Sequence, residues 1–343
     1  MKHAPLVALL SLVLVTGLIT SCQPAAPKSD KVVIGLSLPT QREERWVRDK
    51  LTMETAAKDL GIDLRVTVAD ADMAQQASQV EQLLSQNIKV LILAPHDGSA
   101  AASLVDKAKA QNVPVISYDR LIMNSKDVAL YVTFDNVKVG EIQGKFITEK
   151  VPQGNYIVLA GAPTDNNATL FKQGAMKYIQ PLVDSKKIRI VTDQAVDNWL
   201  PANALSIVEN SLTANKNKVD AILAPNDGTA GGAIQALSAQ GLAGKIPITG
   251  QDAEVSAAKR ILDGSQSMTV FKDTRELGKG AIQAALDIAK GKAVSTFANG
   301  NVNNAAGDIP ALLFTATLVT KDNIDVALIS SGYMTKDQVY GTK

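Results

Sequence analysis

From Lys31 onward, short apolar runs rich in β-branched residues alternate with longer amphipathic stretches. Runs such as "KVVIGLSL", "KVLILAP" and "NYIVLAG" predict strands over residues 31–38, 63–70, 89–95, 113–119, 129–135, 155–161, 188–193, 221–227, 246–252 and 268–273. Helical spacing of apolar positions predicts helices between most of them, including 75–87, 99–111, 204–215 and 229–240, the last followed by Gly241 as a stop. Strand, helix and strand at this spacing mean parallel sheets covered on both faces.

An internal echo refines this picture. "LAPHDGSA" (93–100) is matched by "LAPNDGTA" (223–230), and each leads through a helix to "VPVISYDR" or "IPITGQDA". The chain has 343 residues, of which 46% are hydrophobic, more than one core would usually organise. The reading is an α/β protein made of two similar doubly wound parallel-sheet domains rather than one very wide sheet.

The first residues, "MKHAPLVALLSLVLVTGLITSC", combine a Lys, an apolar run from Leu6 to Ile19 and small residues before Cys22. This is the pattern of a secretory signal. Leu18 to Cys22 resembles a bacterial lipobox, so residues 1–22 are expected to be a lipoprotein signal with Cys22 as the lipid-attachment site. Residues 23–30, rich in Pro, Ala and polar side chains, read as a tether. Cys22 is the only cysteine, so no disulfide framework is expected. Lys plus Arg number 35 and Asp plus Glu 34, with no basic block, which argues against a nucleic-acid partner and for an uncharged ligand.

In open parallel sheets ligands bind beyond the carboxyl ends of the strands. Those ends collect Arg45 and Trp46, then Asp119 and Arg120, then Asp165 and Asn167, and finally Trp199, Asn226, Asp252 and Lys272. Glu44, Asn166, Asp197 and Asp227 lie nearby. Any single Asp here is ordinary turn or capping chemistry. The two tryptophans, both set among charges and amides, are not. Across a cleft between two domains they could stack on the faces of a pyranose, while carboxylates, amides and guanidiniums meet its hydroxyls. Phosphate-loop, dinucleotide, nucleophile-elbow and zinc-protease motifs are all lacking, and neither a catalytic residue, a metal nor a cofactor is expected. His96, at the position matching Asn226, reads as a surface-turn histidine.

"SYDR", "TFDNVKVGE", "VPQGNYIVLAGAPTDNNATLFKQG", "VDNWLPANAL", "LTANKNKVDAILAPNDGTAGGAIQALSAQGL" and "GQDAE" closely resemble the D-xylose-binding receptors of bacterial ABC importers, within the ribose- and galactose-binding class. The resemblance spans most of the chain after the tether. It implies a type I periplasmic binding protein fold with two Rossmann-like lobes, residues 31–135 plus about 275–305 and residues 136–273 plus about 306–343. Hinges are implied near 134–136, near 272–274 and in 303–310. It makes Trp46 and Trp199 the stacking pair and Arg45, Asp119, Arg120, Asp165, Asn167, Asn226, Asp252 and Lys272 the hydrogen-bonding shell. The implied ligand is a monosaccharide, D-xylose first. The implied partners are an ABC permease and, through a lipid on Cys22, the membrane around a monomeric receptor that faces the periplasm or cell exterior. The alternative is a receptor for another pentose or a hexose that feeds a chemoreceptor or sensor kinase.

Overall fold

The computed structural model describes Met1 and residues 31–341; Cys22 and the tether lie outside the described residues. In chain order the strands are β1 (Val33–Leu38), β2 (Asp63–Val68), β3 (Val90–Leu93), β4 (Val115–Tyr118), β5 (Val128–Phe134), β6 (Gly154–Ala160), β7 (Ile188–Ala195), β8 (Ala221–Leu223), β9 (Thr269–Phe271), β10 (Gly300–Asn303), β11 (Asp308–Phe314) and β12 (Thr317–Val319). The helices are α1 (Glu44–Asp59), α2 (Met73–Ser85), α3 (Ala102–Ala110), α4 (Asn136–Lys150), α5 (Asn166–Asp184), α6 (Pro201–Ala214), α7 (Asp227–Ala239), α8 (Val255–Asp263), α9 (Thr274–Ala289) and α10 (Lys336–Tyr340). A 3-10 turn spans Asp197–Trp199 and a π-helical turn spans Asp325–Ser330. No described helix is long and apolar enough to cross a membrane.

The larger sheet runs β10-β11-β5-β4-β3-β1-β2 and is parallel except at its β10 edge. Its inner strands β3 and β4 are buried along their whole length, as expected of a sheet covered on both faces. A second sheet runs β7-β6-β8, and β9 pairs with β12. The expected strand 246–252 forms only a bridge at Ile248. Its irregular backbone still fills the gap between β8 and β9: Ile222 N donates to Pro247 O at 3.0 Å, and Val270 N to Gly250 O at 3.1 Å. This segment departs from a strand because Asp252 and Ala253 turn through positive φ, 94° and 51°.

The chain passes from one half to the other between β5 and α4, and again between β9 and α9. The third passage corrects the expected boundary. Residues 303–310 are not a hinge: they close a hairpin between β10 and β11, and β11 pairs with β5, so the larger-sheet half extends to Phe314. The Asn, Gly and Pro residues there are hairpin chemistry, with Ala305 and Gly307 at positive φ. The passage lies at Thr315 and Ala316, before β12 joins β9.

Candidate functional site

The two halves meet at a cavity lined by residues from both. One wall is built on α1. Its buried stripe, which includes Arg45, Trp46, Asp49 and Met53, packs the helix on the larger sheet, so that Arg45 and Trp46 emerge at the strand ends. Arg45 is clamped between two carboxylates: Nε and Nη2 donate to Asp49 Oδ2 at 3.0 and 2.8 Å, and Nη1 donates to Asp119 Oδ2 at 2.7 Å. Tyr118 Oη locks Asp49 from the other side at 2.5 Å. The Arg45 guanidinium carbon lies 4.4 Å from the Trp46 ring centre and that of Arg120 5.4 Å, a cationic setting that fixes the indole.

The opposite wall comes from five segments, four at the ends of β6, β7, β8 and β9 and one at the end of 246–252. Asp165 caps α5, accepting from Asn167 N at 3.0 Å, and its Oδ2 lies 3.1 Å from Arg120 Nε. Asn167 Nδ2 donates to Asp119 O at 2.8 Å, while its Oδ1 accepts from Tyr131 Oη at 2.9 Å and from Asn136 Nδ2 at 3.0 Å, so little of this amide is left for a ligand. Asn226 spends its Oδ1 on the α7 capping box with Thr229 and keeps its Nδ2 for the cavity. Lys272 Nζ stands 3.0 Å from Asp252 Oδ1, an ion pair without hydrogen-bond alignment, and 4.0 Å from Asp119 Oδ2. Trp199 needs a glycine opposite it: a Cβ on Gly161 would sit 2.0 Å from the indole edge.

Three residues of the wall hold unusual backbone angles. Asp119, Trp199 and Asp252 all line the cavity at positive φ, 57°, 57° and 94°. Such conformations cost on the order of 1–3 kcal/mol each and persist only where the surroundings enforce them. The polar atoms tell the same story. Among the described residues, six buried side-chain atoms lack a hydrogen-bond partner, and four of them belong to the cavity wall: Glu43 Oε2, Trp199 Nε1, Gln251 Oε1 and Asp252 Oδ1. A folded protein rarely leaves such groups unsatisfied. Together they ask for a compact ligand that both donates and accepts.

A family model described as "Periplasmic binding protein domain" matches residues 34–293. The chain belongs to the periplasmic binding protein family. It is 46% identical over 333 residues to the D-xylose-binding periplasmic protein of Haemophilus influenzae, covering 97% of this chain and 98% of that one. The D-xylose-binding periplasmic protein of Escherichia coli is 44% identical over 308 residues, covering 90% and 92%. Among solved structures, a carbohydrate-transporter solute-binding protein from Chloroflexus aurantiacus, in complex with D-glucose, superposes with a TM-score of 0.83 at 37% identity, covering 89% of this chain and 97% of that one.

In this periplasmic binding protein, all ten residues picked out at the strand ends line the one cavity. The other candidates do not. Glu44 pairs with Arg48 and accepts from Val255 N at 3.0 Å, Asn166 and Asp197 lie outside the lining, and Asp227 is buried behind it. His96 is a partly buried turn residue outside the lining. Three lining residues escaped the sequence reading: Glu43, Phe171 and Gln251. Glu43 sits in a charged run that looks like a solvated helix start, Phe171 has the helical spacing of a core aromatic, and Gln251 falls in the presumed strand.

The electrostatics suit a neutral guest. Arg45, Arg120 and Lys272 face Asp119, Asp165, Asp252 and Glu43. Burial would push Asp119 up, but Arg45, Lys272 and Arg120 outweigh it and hold the carboxyl below its usual range. Burial does win at Asp165, which rises despite Arg120. Among the described residues no cluster of His, Cys, Asp or Glu is arranged to hold a metal.

Proposed function

We propose that this protein is an exported solute receptor that captures one monosaccharide, D-xylose first, between its two halves and delivers it to an ABC importer. The observation that carries the reading is the set of four buried polar atoms without a hydrogen-bond partner, on residues lining a cavity walled by two tryptophans. Sugar hydroxyls satisfy donors and acceptors alike, and the apolar faces of a pyranose suit indole. Relatives named for D-xylose binding support the choice of sugar. A second reading, a receptor for a hexose or several sugars, is favoured by the glucose complexes of two similar structures at 37% and 34% identity.

Capture works by closure. Contacts already cross the cleft: Arg42 Nη2 donates to Asn198 O at 2.7 Å, Arg48 Nη1 to Tyr333 O at 2.8 Å, and Gly98 N to Thr164 O at 2.9 Å. A sugar touching both walls exists in full contact only in this closed form, so binding shifts the population towards it and presents a distinct shape to a permease. The three passages at 134–136, 272–274 and 315–316 are the places where the chain would flex. The ligand leaves chemically unchanged. Titration with a sugar panel, read by the fluorescence of Trp46 and Trp199, tests the reading, since no other tryptophan contributes. A saturable change for one sugar supports it, and a flat response to every sugar counts against it.

The same proposal keeps Cys22 as a lipid anchor that holds the receptor beside its permease. Cys22→Ala should move the protein from the membrane to the soluble fraction without changing sugar affinity; unchanged fractionation would remove the anchor from the account.

A further inference from the structure

We propose that Glu43 is a ligand-binding, specificity-determining residue whose carboxylate accepts a hydrogen bond from one hydroxyl of the bound sugar, an inference that rests on the monosaccharide reading of the cavity. Glu43 occupies the N-cap position of α1 with extended backbone angles, yet its side chain caps nothing. Its two oxygens have separate fates. Oε1 is held by Arg42, whose Nε donates to it at 2.9 Å and whose Nη2 reaches on to Asn198 O, beside Trp199. Oε2 is enclosed and has no hydrogen-bond partner, and Glu43 is one of the residues that line the cavity. The side chain as a whole is 9% exposed, so bulk solvent reaches little of it.

A buried carboxylate oxygen left alone is costly, and a hydrogen bond to a charged group is among the stronger ones. The guest cannot be a cation, because Arg45, Arg120 and Lys272 share the space. A neutral hydroxyl is the donor that fits. Arg42 fixes the carboxylate plane and ties it to the turn carrying Trp199, so the acceptor is set in place when the halves meet.

The test is a cycle of affinities measured by isothermal titration. The wild type, Glu43→Leu and Glu43→Gln are each titrated with the best-bound sugar and with its monodeoxy analogues. Glu43→Leu should weaken the parent sugar by about 10- to 100-fold. One monodeoxy analogue, lacking the hydroxyl that Glu43 reads, should bind wild type and variant alike, while the other analogues keep the full gap. Glu43→Gln retains an acceptor oxygen and should fall between the two, and it carries the same cycle if the leucine variant does not fold. Parent-sugar affinity unchanged in the leucine variant, or an equal gap for every analogue, would overturn the assignment while leaving the receptor reading in place. A folded wild type that binds no sugar would overturn both.

Discussion

The unit Leu-Ala-Pro-x-Asp-Gly occurs at 93–98 and at 223–228, and its two copies have been put to different uses. Up to a point they match. Each leaves a strand, enters a helix, α3 or α7, and leads to an aspartate at positive φ, Asp119 or Asp252. Each aspartate donates its N–H to the next strand, to Val132 O at 2.8 Å or Val270 O at 2.9 Å, and each faces a cation, Arg45 or Lys272. The halves thus offer the cavity paired, similarly strained carboxylates from opposite sides.

The copies part at the motif aspartate. Asp97 makes an ordinary turn cap, its Oδ1 accepting from Ser99 N and Ala100 N at 2.9 Å. Asp227 is fully buried and supports the turn that carries Asp252: it accepts from Gln266 Nε2 at 2.7 Å, Thr269 Oγ1 at 2.9 Å and Glu254 N at 3.0 Å. The space under that turn exists because residue 250 is glycine; a Cβ would lie 2.1 Å from Asp227 Oδ1, whereas the first copy has Ser117 there. The local sequence sets the backbone of both units, and distant partners decide what the motif aspartate does.

Removing the site carboxylates should have the largest effect. Arg45 keeps Asp49 when Asp119 is lost, but Lys272 has only Asp119 at 4.0 Å once Asp252 is lost. Both Asp119→Ala and Asp252→Ala should weaken sugar binding by ~100-fold or more, with Asp252→Ala the more severe. Isothermal titration of the two variants checks the order, and equal losses would mean that the halves contribute alike. Trp199→Ala belongs in the same class.

The motif aspartates should differ next, in stability. Asp227→Ala removes the acceptor of three hydrogen bonds, two of them buried, and should cost ~3 kcal/mol by urea denaturation, against ~1 kcal/mol for the cap lost in Asp97→Ala. Similar losses would erase the distinction between support and cap.

The smallest effect is one of pH. Glu254 stands where the first copy has Leu121. Partial burial, reinforced by Asp252 and Glu44 and opposed by Arg260, pushes its carboxyl from 4.5 up to about 7. A carboxyl that protonates more readily when folded favours the folded state at low pH, and this advantage is lost as pH rises from about 4.5 through about 7. Relative to Glu254→Gln, the wild type should therefore lose on the order of 1 kcal/mol of stability between pH 5 and pH 8. A difference that does not change with pH would contradict this environment for Glu254.

What the sequence made legible follows from the same physics. Strand runs such as "KVLILAP" are buried on both faces, so apolarity alone marks them, and the ends of such strands collect the ten candidates that line the cavity. β10 carries little strand signal because it is the edge strand, where Asn and Gly are tolerated, and β11 beside it opens with Asp308 and Pro310, ahead of the stretch that pairs with β5. Segment 246–252 was misread because its apolar start is a strand signal, while Gly250 and the distant Asp227 bend its end. Glu43 had no sequence signal at all, since nothing in "QREER" tells an enclosed carboxylate from a solvated one.

Whether the cavity holds a monosaccharide is decided by isothermal titration of residues 31–343 with D-xylose beside D-glucose, D-ribose and L-arabinose. The wild type should bind one monosaccharide one-to-one, and Asp252→Ala should lose that binding. A folded wild type that binds none of the four, or an Asp252→Ala variant that binds as well as wild type, would contradict the monosaccharide reading.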